Sequence, residues 1–294
     1  MDAQKKAFLY GISAVLLWST VASAFKISLR HLEPPQLVLW ATLSSLLALG
    51  GVLAVRGKLR IAFSCTRREG LLSLGLGLLN PFLYYLVLFE AYDRLPAQEA
   101  QPLNYTWAIV LGLLSIPLLG QRLTRADLLA TAVSYTGVVV ISTRGNLLDL
   151  RFSDPIGVGL ALGSTVIWAL YWIFNTRDAR DPVVGLFQNF LFGLPFVLAF
   201  VLIFSEAAVP DLRGLLGAVY VGAFEMGVTF VLWLSALKLT SSASRIGNLI
   251  FVSPFLSLVL IHFLVGEEIR GSTFVGLVFI MGGLAVQQAG HRRR

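Results

Sequence analysis

The sequence predicts an all-α integral membrane protein whose ten transmembrane helices form two inverted five-helix repeats. It is 56% hydrophobic and 13% charged, with a mean hydropathy of +0.79, whereas soluble domains are about 45–50% apolar and about 25% charged. Ten charge-poor runs each approach the roughly 20 residues that cross a bilayer. The second half of the chain also repeats the first at low identity. Because five spans is an odd number, the two copies must lie in opposite orientations.

The predicted spans follow these runs in chain order. In the first copy, residues 1–146, they cover roughly residues 8–28, 36–55, 70–92, 97–117 and 125–143. In the second copy, residues 147–294, they cover roughly residues 155–175, 183–204, 213–236, 244–264 and 271–288. Only short loops remain, so we expect no soluble domain.

The first span also has features of a secretory signal. Lys5 and Lys6 precede an apolar run that ends at Ala22-Ser23-Ala24, which fits a cleavage site. Cleavage there would remove Trp18 and leave nine spans with an unpaired second copy. The repeat therefore favours an uncleaved first helix.

The repeat rests on matches that occur in one order along the chain. Their offsets run from 144 to 150 residues, and the pairs are Gly70 with Gly214, Asn104 with Asn248, Gly120 with Gly266, Gly137 with Gly283, and Trp18 with Trp168. Inverted repeats are typical of secondary transporters, which place the substrate site at the repeat interface near the bilayer midplane.

The distribution of basic residues predicts the orientation, because basic loops stay in the cytoplasm. Only seven of the 23 Lys and Arg residues fall on the side opposite the N-terminus: Lys26, Arg30, Arg94, Arg144, Arg151, Arg213 and Arg270. Both termini are therefore predicted to be cytoplasmic. This asymmetry also accounts for the net charge of +7, so we expect no nucleic-acid partner.

The sequence contains no nucleotide-binding loop, metal-ligand cluster or nucleophile–base pair. His31, His262 and His291 are far apart, and Cys65 is the one cysteine, so we interpret it as a reduced bystander thiol. We therefore expect neither enzymatic activity nor a cofactor or metal, and ATP-driven transport by this chain alone is excluded.

Tryptophan occurs at two depths in the predicted spans. Trp40, Trp172 and Trp233 lie within a turn or two of a helix end, as in an interfacial belt. Trp18, Trp107 and Trp168 lie near the middle of predicted helices 1, 4 and 6. A buried indole needs a partner for its N–H, so these three indicate a polar-lined cavity, with helix packing as the alternative.

Predicted helices 3 and 4 have the features of cavity walls. They carry hydroxyl and amide side chains at similar depth. Each also contains Pro, which leaves a backbone carbonyl without its helical hydrogen bond. Within a membrane such a carbonyl is tolerated only where protein or water can bond to it. Their repeat partners, helices 8 and 9, carry Glu225, Asn248, Ser253 and Pro254. The predicted substrate-binding residues are Trp18, Asn80, Tyr84, Tyr85, Asn104, Tyr105, Trp107, Trp168, Glu225 and Asn248.

Glu225 is the most deeply placed ionisable residue. It lies about twelve residues into helix 8, or roughly 18 Å from its start. Ionisable residues within spans are functional candidates by default. Glu225 fits three roles: binding a substrate ammonium, carrying a coupling proton, or serving as a protonated or paired structural residue.

These features together resemble the EamA-type branch of the drug/metabolite transporter superfamily. The resemblance rests on the ten spans in two inverted copies, Pro on helices 4 and 9, the Gly266-Glu267 step and the Gly-rich fifth and tenth helices. The first copy departs from the pattern, with Gly120-Gln121 in place of a Gly-acidic step. The chain also resembles the aromatic amino-acid exporters of bacterial inner membranes, whose central cavity is rich in aromatic residues. The residues that carry this resemblance are Trp18, Tyr84, Tyr85, Tyr105, Trp107 and Trp168. The resemblance implies a basket-shaped bundle that works by alternating access.

We therefore favour an inner-membrane exporter of aromatic and other neutral amino acids and related metabolites, in a monomeric or weakly dimeric state. The sequence leaves two energy couplings open, facilitative downhill efflux and proton exchange at Glu225. The alternative is a proton-coupled exporter of cationic drugs or quaternary ammonium compounds. Its weakness is that residues 7–25 contain no acidic residue, whereas the small multidrug exporters of the superfamily carry their coupling Glu on the first helix. A membrane-embedded enzyme or receptor lacks a catalytic constellation or ligand domain in this sequence.

Overall fold

The computed structural model describes residues 3–120, 125–146, 153–175, 178–206, 210–240 and 248–292, which contain helices and no strand. Gln121, which enters the family motif, and Arg151, which enters the orientation, lie outside the described residues. The side chain of Asn248 also lies outside them.

Ten apolar helices follow the predicted spans in order. The first five are α1 (Ala3–Ser28), α2 (Pro34–Val55), α3 (Arg67–Arg94), α4 (Ala97–Leu119) and α5 (Arg125–Ser142). The second five are α6 (Pro155–Asn175), α7 (Pro182–Phe204), α8 (Leu212–Ala236, helical through Leu239), α9 (Ser253–Val265, after a 3₁₀ turn at Asn248–Val252) and α10 (Gly271–Arg292). Eight of these helices are long enough to cross a bilayer, and α5 and α9 are shorter. The predicted ten-helix membrane bundle is confirmed.

Short polar sequences begin and end these helices. Thr66 starts α3 with a capping box, accepting from the backbone N–H of Glu69 while the Glu69 carboxylate accepts from the Thr66 N–H at 2.7 Å. Asp211 caps α8 by accepting from the Gly214 N–H at 2.7 Å. The equivalent helices α4 and α9 end at Gly120 and Gly266, whose φ angles of 68° and 82° are left-handed and suit glycine.

The helices that correspond between the two repeats are interrupted at corresponding places. In α3, the segment Leu78–Leu83 is π-helical and Asn80 leaves the helical region, with φ −148° and ψ 116°. In α8, the π-helical segment Val221–Val228 contains Glu225. Insertions of this kind are rare and frequently mark functional sites. The two repeats therefore share a mid-membrane interruption of the α-helix.

The Gly-rich helices α5 and α10 pack against each other within one chain. A Cβ on Gly137 would meet the carbonyl oxygen of Gly276, and a Cβ on Gly283 would meet that of Ala130. These contacts are reciprocal under the repeat, because Gly137 corresponds to Gly283 and Ala130 to Gly276. Small residues of this kind let two membrane helices approach closely.

Adding one methyl group at Gly283 tests this packing. We expect Gly283→Ala to destabilise the protein by about 1–3 kcal/mol, the usual range for overpacking a tight core, because the new Cβ meets the Ser134 side chain and backbone. The matched control is Gly282→Ala, whose Cβ meets nothing within 4 Å and which gains up to about 1 kcal/mol of helix propensity. The readout is the temperature at which detergent-solubilised protein loses its monodisperse chromatographic peak. Equal temperatures for the two variants would contradict the close α5–α10 contact.

Candidate functional site

A central cavity of about 290 Å³ lies between the two repeats. Its walls come from α1, α3, α4, α6, α8 and α10, with Ile250 of the 3₁₀ turn before α9. The aromatic lining residues are Trp18, Phe25, Tyr84, Tyr92, Tyr105, Trp107, Trp168, Trp172 and Trp233. The polar lining residues are Gln101, Asn104, Glu225 and Gln288. The cavity is therefore an aromatic chamber with a few polar groups, a composition typical of small-molecule sites.

The lining rings contact one another across helices. Tyr84 of α3 stacks on Trp168 of α6, with centroids 4.4 Å apart and planes 25° apart. Trp18 of α1 contacts Trp233 of α8 at 5.2 Å. Phe230 joins the two groups, at 6.0 Å from Trp18 and 5.8 Å from Trp168. Such pairs contribute about 0.5–1.5 kcal/mol each beyond their buried area, so the rings hold the cavity wall in a defined shape.

Asn104 belongs to a short hydrogen-bonded chain at this wall. The Tyr84 hydroxyl donates to Asn104 Oδ1 at 3.5 Å, and Asn104 Nδ2 donates to Ser164 Oγ at 3.0 Å. Ser164 in turn donates to the Ala161 carbonyl at 2.7 Å. The chain connects α3, α4 and α6 and fixes the orientation of the amide.

Glu225 is only 9% exposed. The Tyr85 hydroxyl donates to its Oε1 at 3.5 Å, the Trp18 indole lies beside the carboxyl, and Oε2 has no hydrogen-bond partner among the described residues. Within the described ranges, none of the Lys, Arg or His side chains forms an ion pair with this carboxyl. Glu225 is thus a buried acid, facing a cavity, without a protein cation beside it.

A polar cluster joins the helix ends on the side opposite the N-terminus. Glu99 of α4 is fully buried and pairs with Arg144 and Arg270. Ser153 Oγ also donates to its carboxylate. The carboxylate of Glu267 accepts from the N–H of Ala97, so the start of α4 is bonded to the loop between α9 and α10.

Lys26, at the end of α1, adds hydrogen bonds between helix ends on the same side of the membrane. Its ammonium donates to the carbonyls of Tyr92 at 2.6 Å and Leu95 at 2.9 Å. Arg30 donates to the Val265 carbonyl at 2.8 Å. Charges and backbone carbonyls therefore join the ends of α1, α3, α4, α5, α9 and α10 on this side.

A second cluster lies on the N-terminal side. Arg180 pairs with Asp178 at 2.7 Å and also donates to Ser73 of α3 at 2.7 Å and to Asn189 of α7 at 3.3 Å. Burial raises the pKa of the Asp178 carboxyl, but hydrogen bonds and charge from Arg180 outweigh this and hold the pKa below its ordinary value. Asp178 therefore stays ionised and neutralises Arg180.

A comparison with known protein families matches the chain in two consecutive segments. The model of the EamA-like transporter family matches residues 5–143 and 155–287. The chain belongs to this family. It is a multi-pass membrane protein of a transporter family, and the resemblance inferred from the sequence is confirmed.

Several relatives of this EamA-like chain align along nearly its whole length. One is named the aromatic amino acid exporter YddG, from Ancylobacter novellus, at 27% identity over 97% of both chains. Another, from Salmonella typhimurium, is named a probable amino-acid metabolite efflux pump, at 25% identity over 99% of this chain and 97% of the relative. A solved crystal structure aligns over 98% of both chains with a TM-score of 0.67 and 26% identity. The relatives support a small-molecule exporter.

Most of the predicted binding residues meet in this family member's cavity. Those that line it are Trp18, Tyr84, Asn104, Tyr105, Trp107, Trp168 and Glu225. Of the others, Tyr85 is fully buried and reaches Glu225 through its hydroxyl. Asn80 is fully buried within the π-helical segment and, among the described residues, is not part of the cavity lining.

The interfacial-belt interpretation is wrong for two tryptophans. Trp172 and Trp233 line the cavity, although each lies close to a predicted helix end. Distance from a helix end measures depth in the membrane but not the face of the helix, and the cavity extends toward the N-terminal side along α6 and α8. Sequence reasoning also missed Gln101, whose signal was a polar side chain within a span, one turn before Asn104.

The closure on the side opposite the N-terminus can be tested through Glu99. We expect Glu99→Gln to open that side more often, because the fully buried Glu99 carboxylate loses its charge-assisted hydrogen bonds to Arg144 and Arg270, worth about 1.5–3 kcal/mol at most since both arginines are more than a third exposed. The measurement is the labelling rate of a cysteine placed at the cavity residue Ala22, in a Cys65→Ser background, by an impermeant thiol reagent added from that side. A severalfold faster rate is the expected result.

The matched control for this experiment is Glu90→Gln. Glu90 pairs with Arg94 on the same side, but both side chains are more than a third exposed, and exposed pairs contribute little. Its labelling rate should equal that of the parent. If Glu99→Gln labels no faster than Glu90→Gln, the Glu99 cluster does not hold that side closed.

Proposed function

We propose that this chain is a secondary transporter that exports aromatic and other neutral amino acids, and related small metabolites, across a bacterial inner membrane by alternating access. Both termini lie in the cytoplasm, and the copies 1–146 and 147–294 form the two halves that move against each other around the cavity. The observation that carries the proposal is the set of unpartnered polar atoms in the aromatic cavity.

In the part of the chain that the structure describes, three buried polar atoms of the cavity lining lack a hydrogen-bond partner. They are Glu225 Oε2, Gln101 Oε1 and the Trp172 indole Nε1. Two of these accept hydrogen bonds and one donates. Since buried polar groups are nearly always hydrogen-bonded, the set suits a ligand that carries both a donor and an acceptor. An amino acid supplies them as an ammonium for Glu225 and Gln101 and a carboxylate for Trp172.

The aromatic walls suit the side chain of such a ligand. Rings of Trp and Tyr contribute contact area without requiring one side-chain shape, which favours a broad range of neutral and aromatic substrates. A volume of about 290 Å³ is at the lower end of the roughly 300–1,000 Å³ of ligand pockets. This size favours metabolites of amino-acid dimensions over large drugs.

The names of the relatives favour the same class of substrate. The Ancylobacter novellus protein is named an aromatic amino acid exporter and the Salmonella typhimurium protein a probable amino-acid metabolite efflux pump. Both align over nearly the whole chain, so the aligned region includes every helix that lines the cavity.

One observation favours the second candidate, a proton-coupled exporter of quaternary ammonium compounds. Glu225 has no protein cation beside it among the described residues, and the surrounding rings can bind a cation through their faces. Such a ligand would satisfy Glu225 but would leave the Trp172 N–H without an acceptor. For this reason the amino-acid proposal accounts for more of the site.

Glu225→Gln tests the proposed ammonium contact. Because a hydrogen bond to a charged group contributes about 1.5–3 kcal/mol, we expect the affinity for amino acids to fall at least tenfold. The measurement is the exchange of labelled for unlabelled tryptophan across liposomes that contain the purified protein. Glu268→Gln, outside the cavity, should retain parental affinity, and an unchanged affinity in Glu225→Gln would remove this residue from the substrate site.

Trp168→Ala tests the aromatic wall. Loss of the ring that stacks on Tyr84 should weaken binding of aromatic substrates by about 0.5–1.5 kcal/mol or more, while alanine and other small amino acids are affected less. Trp40→Ala is the matched control, because Trp40 of α2 is half-buried and does not line the cavity. An equal loss for tryptophan and alanine in the same exchange assay would argue against side-chain stacking.

A further inference from the structure

The connection between α2 and α3 carries a concentration of positive charge on the N-terminal side of the membrane. Together with the first two residues of α3 it covers residues 56–68 and contains five basic residues. Four of them are exposed arginines: Arg56, Arg60, Arg67 and Arg68. In the described parts of the chain none of these four guanidinium groups forms an ion pair. Four positive charges therefore lie close together in the sequence without a protein anion beside them.

The acidic side chains near this connection already have other partners. Lys58, the fifth basic residue, pairs with Asp181 at the start of α7 at 2.7 Å. Arg180 occupies Asp178, also at 2.7 Å. The Glu69 carboxylate is used in the capping box of α3. The charge of the four arginines is therefore available to an anion from outside the protein.

α7 holds the connection in one conformation. The side-chain amide of Gln188, which is only 2% exposed, donates to the backbone carbonyls of Ala62 at 3.1 Å and Ser64 at 3.4 Å. The Phe63 ring contacts the Phe187 ring edge-on, with centroids 5.5 Å apart. Because α7 satisfies these carbonyls, the outer surface of the connection is formed mainly by side chains.

Three apolar side chains of the connection are exposed: Leu59 at 38%, Ile61 at 56% and Phe63 at 65%. They lie in or directly after a short helix, Leu59–Ala62. The connection begins directly after Val55, the last residue of α2, which is 91% exposed. Since apolar surface is unfavourable in water, these side chains favour the boundary between lipid headgroups and acyl chains.

We propose that residues 56–68 form a lipid-binding surface that selects anionic phospholipids in the leaflet on the N-terminal side. The four guanidinium groups bind headgroup phosphates, and Ile61 and Phe63 lie among the upper parts of the acyl chains. Guanidinium is suited to this role because its planar fork bonds phosphate through two N–H groups at once. Clusters of four or more basic residues directly beside a transmembrane helix are typical of binding to anionic lipid.

A simpler role, fixing the orientation of the chain, accounts for less of the surface. Orientation requires only the positive charge. It requires neither the exposed Ile61 and Phe63 nor a connection held in one conformation by Gln188. The inference goes beyond the proposed function and holds for any substrate in the cavity.

The single cysteine supplies the probe for a test, because Cys65 is exposed and lies within this surface. The purified full-length protein carries a fluorophore on Cys65 and is reconstituted into phosphatidylcholine liposomes that contain a fixed fraction of brominated phospholipid. Brominated chains quench a fluorophore that they contact. Because each basic residue at such a surface contributes roughly fivefold in affinity, brominated phosphatidylglycerol should associate about tenfold or more tightly than brominated phosphatidylcholine.

Two double variants test the arginines: Arg56→Gln with Arg60→Gln, and Arg67→Gln with Arg68→Gln. Each removes two charges and leaves three basic residues in the connection, and each should reduce the preference for phosphatidylglycerol by about fivefold or more. The matched control is Lys5→Gln with Lys6→Gln, which removes the same charge from exposed positions of α1 on the same side. Its preference should stay within about twofold of the parent, because these lysines lie outside the surface.

Each other outcome would overturn the proposal. Equal quenching by the two lipids in the parent would show that the surface does not select anionic lipid. An unchanged preference in both arginine pairs would remove these residues from it, and two separate pairs are used so that a folding defect in one does not decide the result. An equal loss in the lysine pair would indicate a general effect of charge. Loss of the preference on adding soluble glycerol phosphate, at constant ionic strength, would indicate a phosphate site and not a lipid surface.

Discussion

The bilayer requires that every backbone N–H and C=O within the spans be satisfied by the protein, and this constraint organises the structure. Regular helices meet it alone, so interruptions are tolerated only where neighbouring groups or a cavity can take over. The π-helical segment of α8 and the 3₁₀ turn before α9 each contribute a residue to the lining of the central chamber, Glu225 and Ile250, and the π-helical segment of α3 ends directly before the lining residue Tyr84. The tight α5–α10 pair, by contrast, is continuous and closely packed. In α8 and before α9 the chamber is therefore lined by irregular helix, whereas the α5–α10 pair keeps regular helix throughout.

Two buried glutamates show how the same side chain serves opposite purposes. Glu99 accepts from two arginines and a serine, so its charge is satisfied and it joins helix ends. Glu225 accepts a long hydrogen bond from Tyr85, lies beside the Trp18 indole and faces the chamber, where its second oxygen has no partner among the described residues. A buried carboxylate without a cation is costly, and the cost is offset only when a ligand cation or a proton arrives. This difference is the reason why we propose that Glu225 responds to the substrate, whereas Glu99 joins helix ends.

The sequence predicted the helices well because span length and charge scarcity follow directly from the thickness of the bilayer. It also predicted that Trp18, Asn104, Trp168 and Glu225 share one cavity. The depth of each residue in its span, and the pairing of positions between the repeats, both follow from distances along the sequence. The sequence did not predict the position of Trp172 and Trp233. When all faces of a membrane helix are apolar, the sequence does not show which face points into the protein. The grouping of Asn189 of α7 with Tyr171 of α6 could not be predicted either, since it depends on which helices are neighbours and not on position along the chain.

The central claim is that the cavity recognises an aromatic zwitterion through both of its charges. The most direct measurement is inhibition of tryptophan exchange by a matched series: tryptamine, which keeps the ammonium, indole-3-propionate, which keeps the carboxylate, and a lipophilic quaternary ammonium cation. The account predicts that unlabelled tryptophan inhibits best, that tryptamine follows, and that indole-3-propionate, which brings a second carboxylate toward Glu225, is weakest. Stronger inhibition by the quaternary cation than by tryptophan would contradict the account and place the chain among cationic-drug exporters.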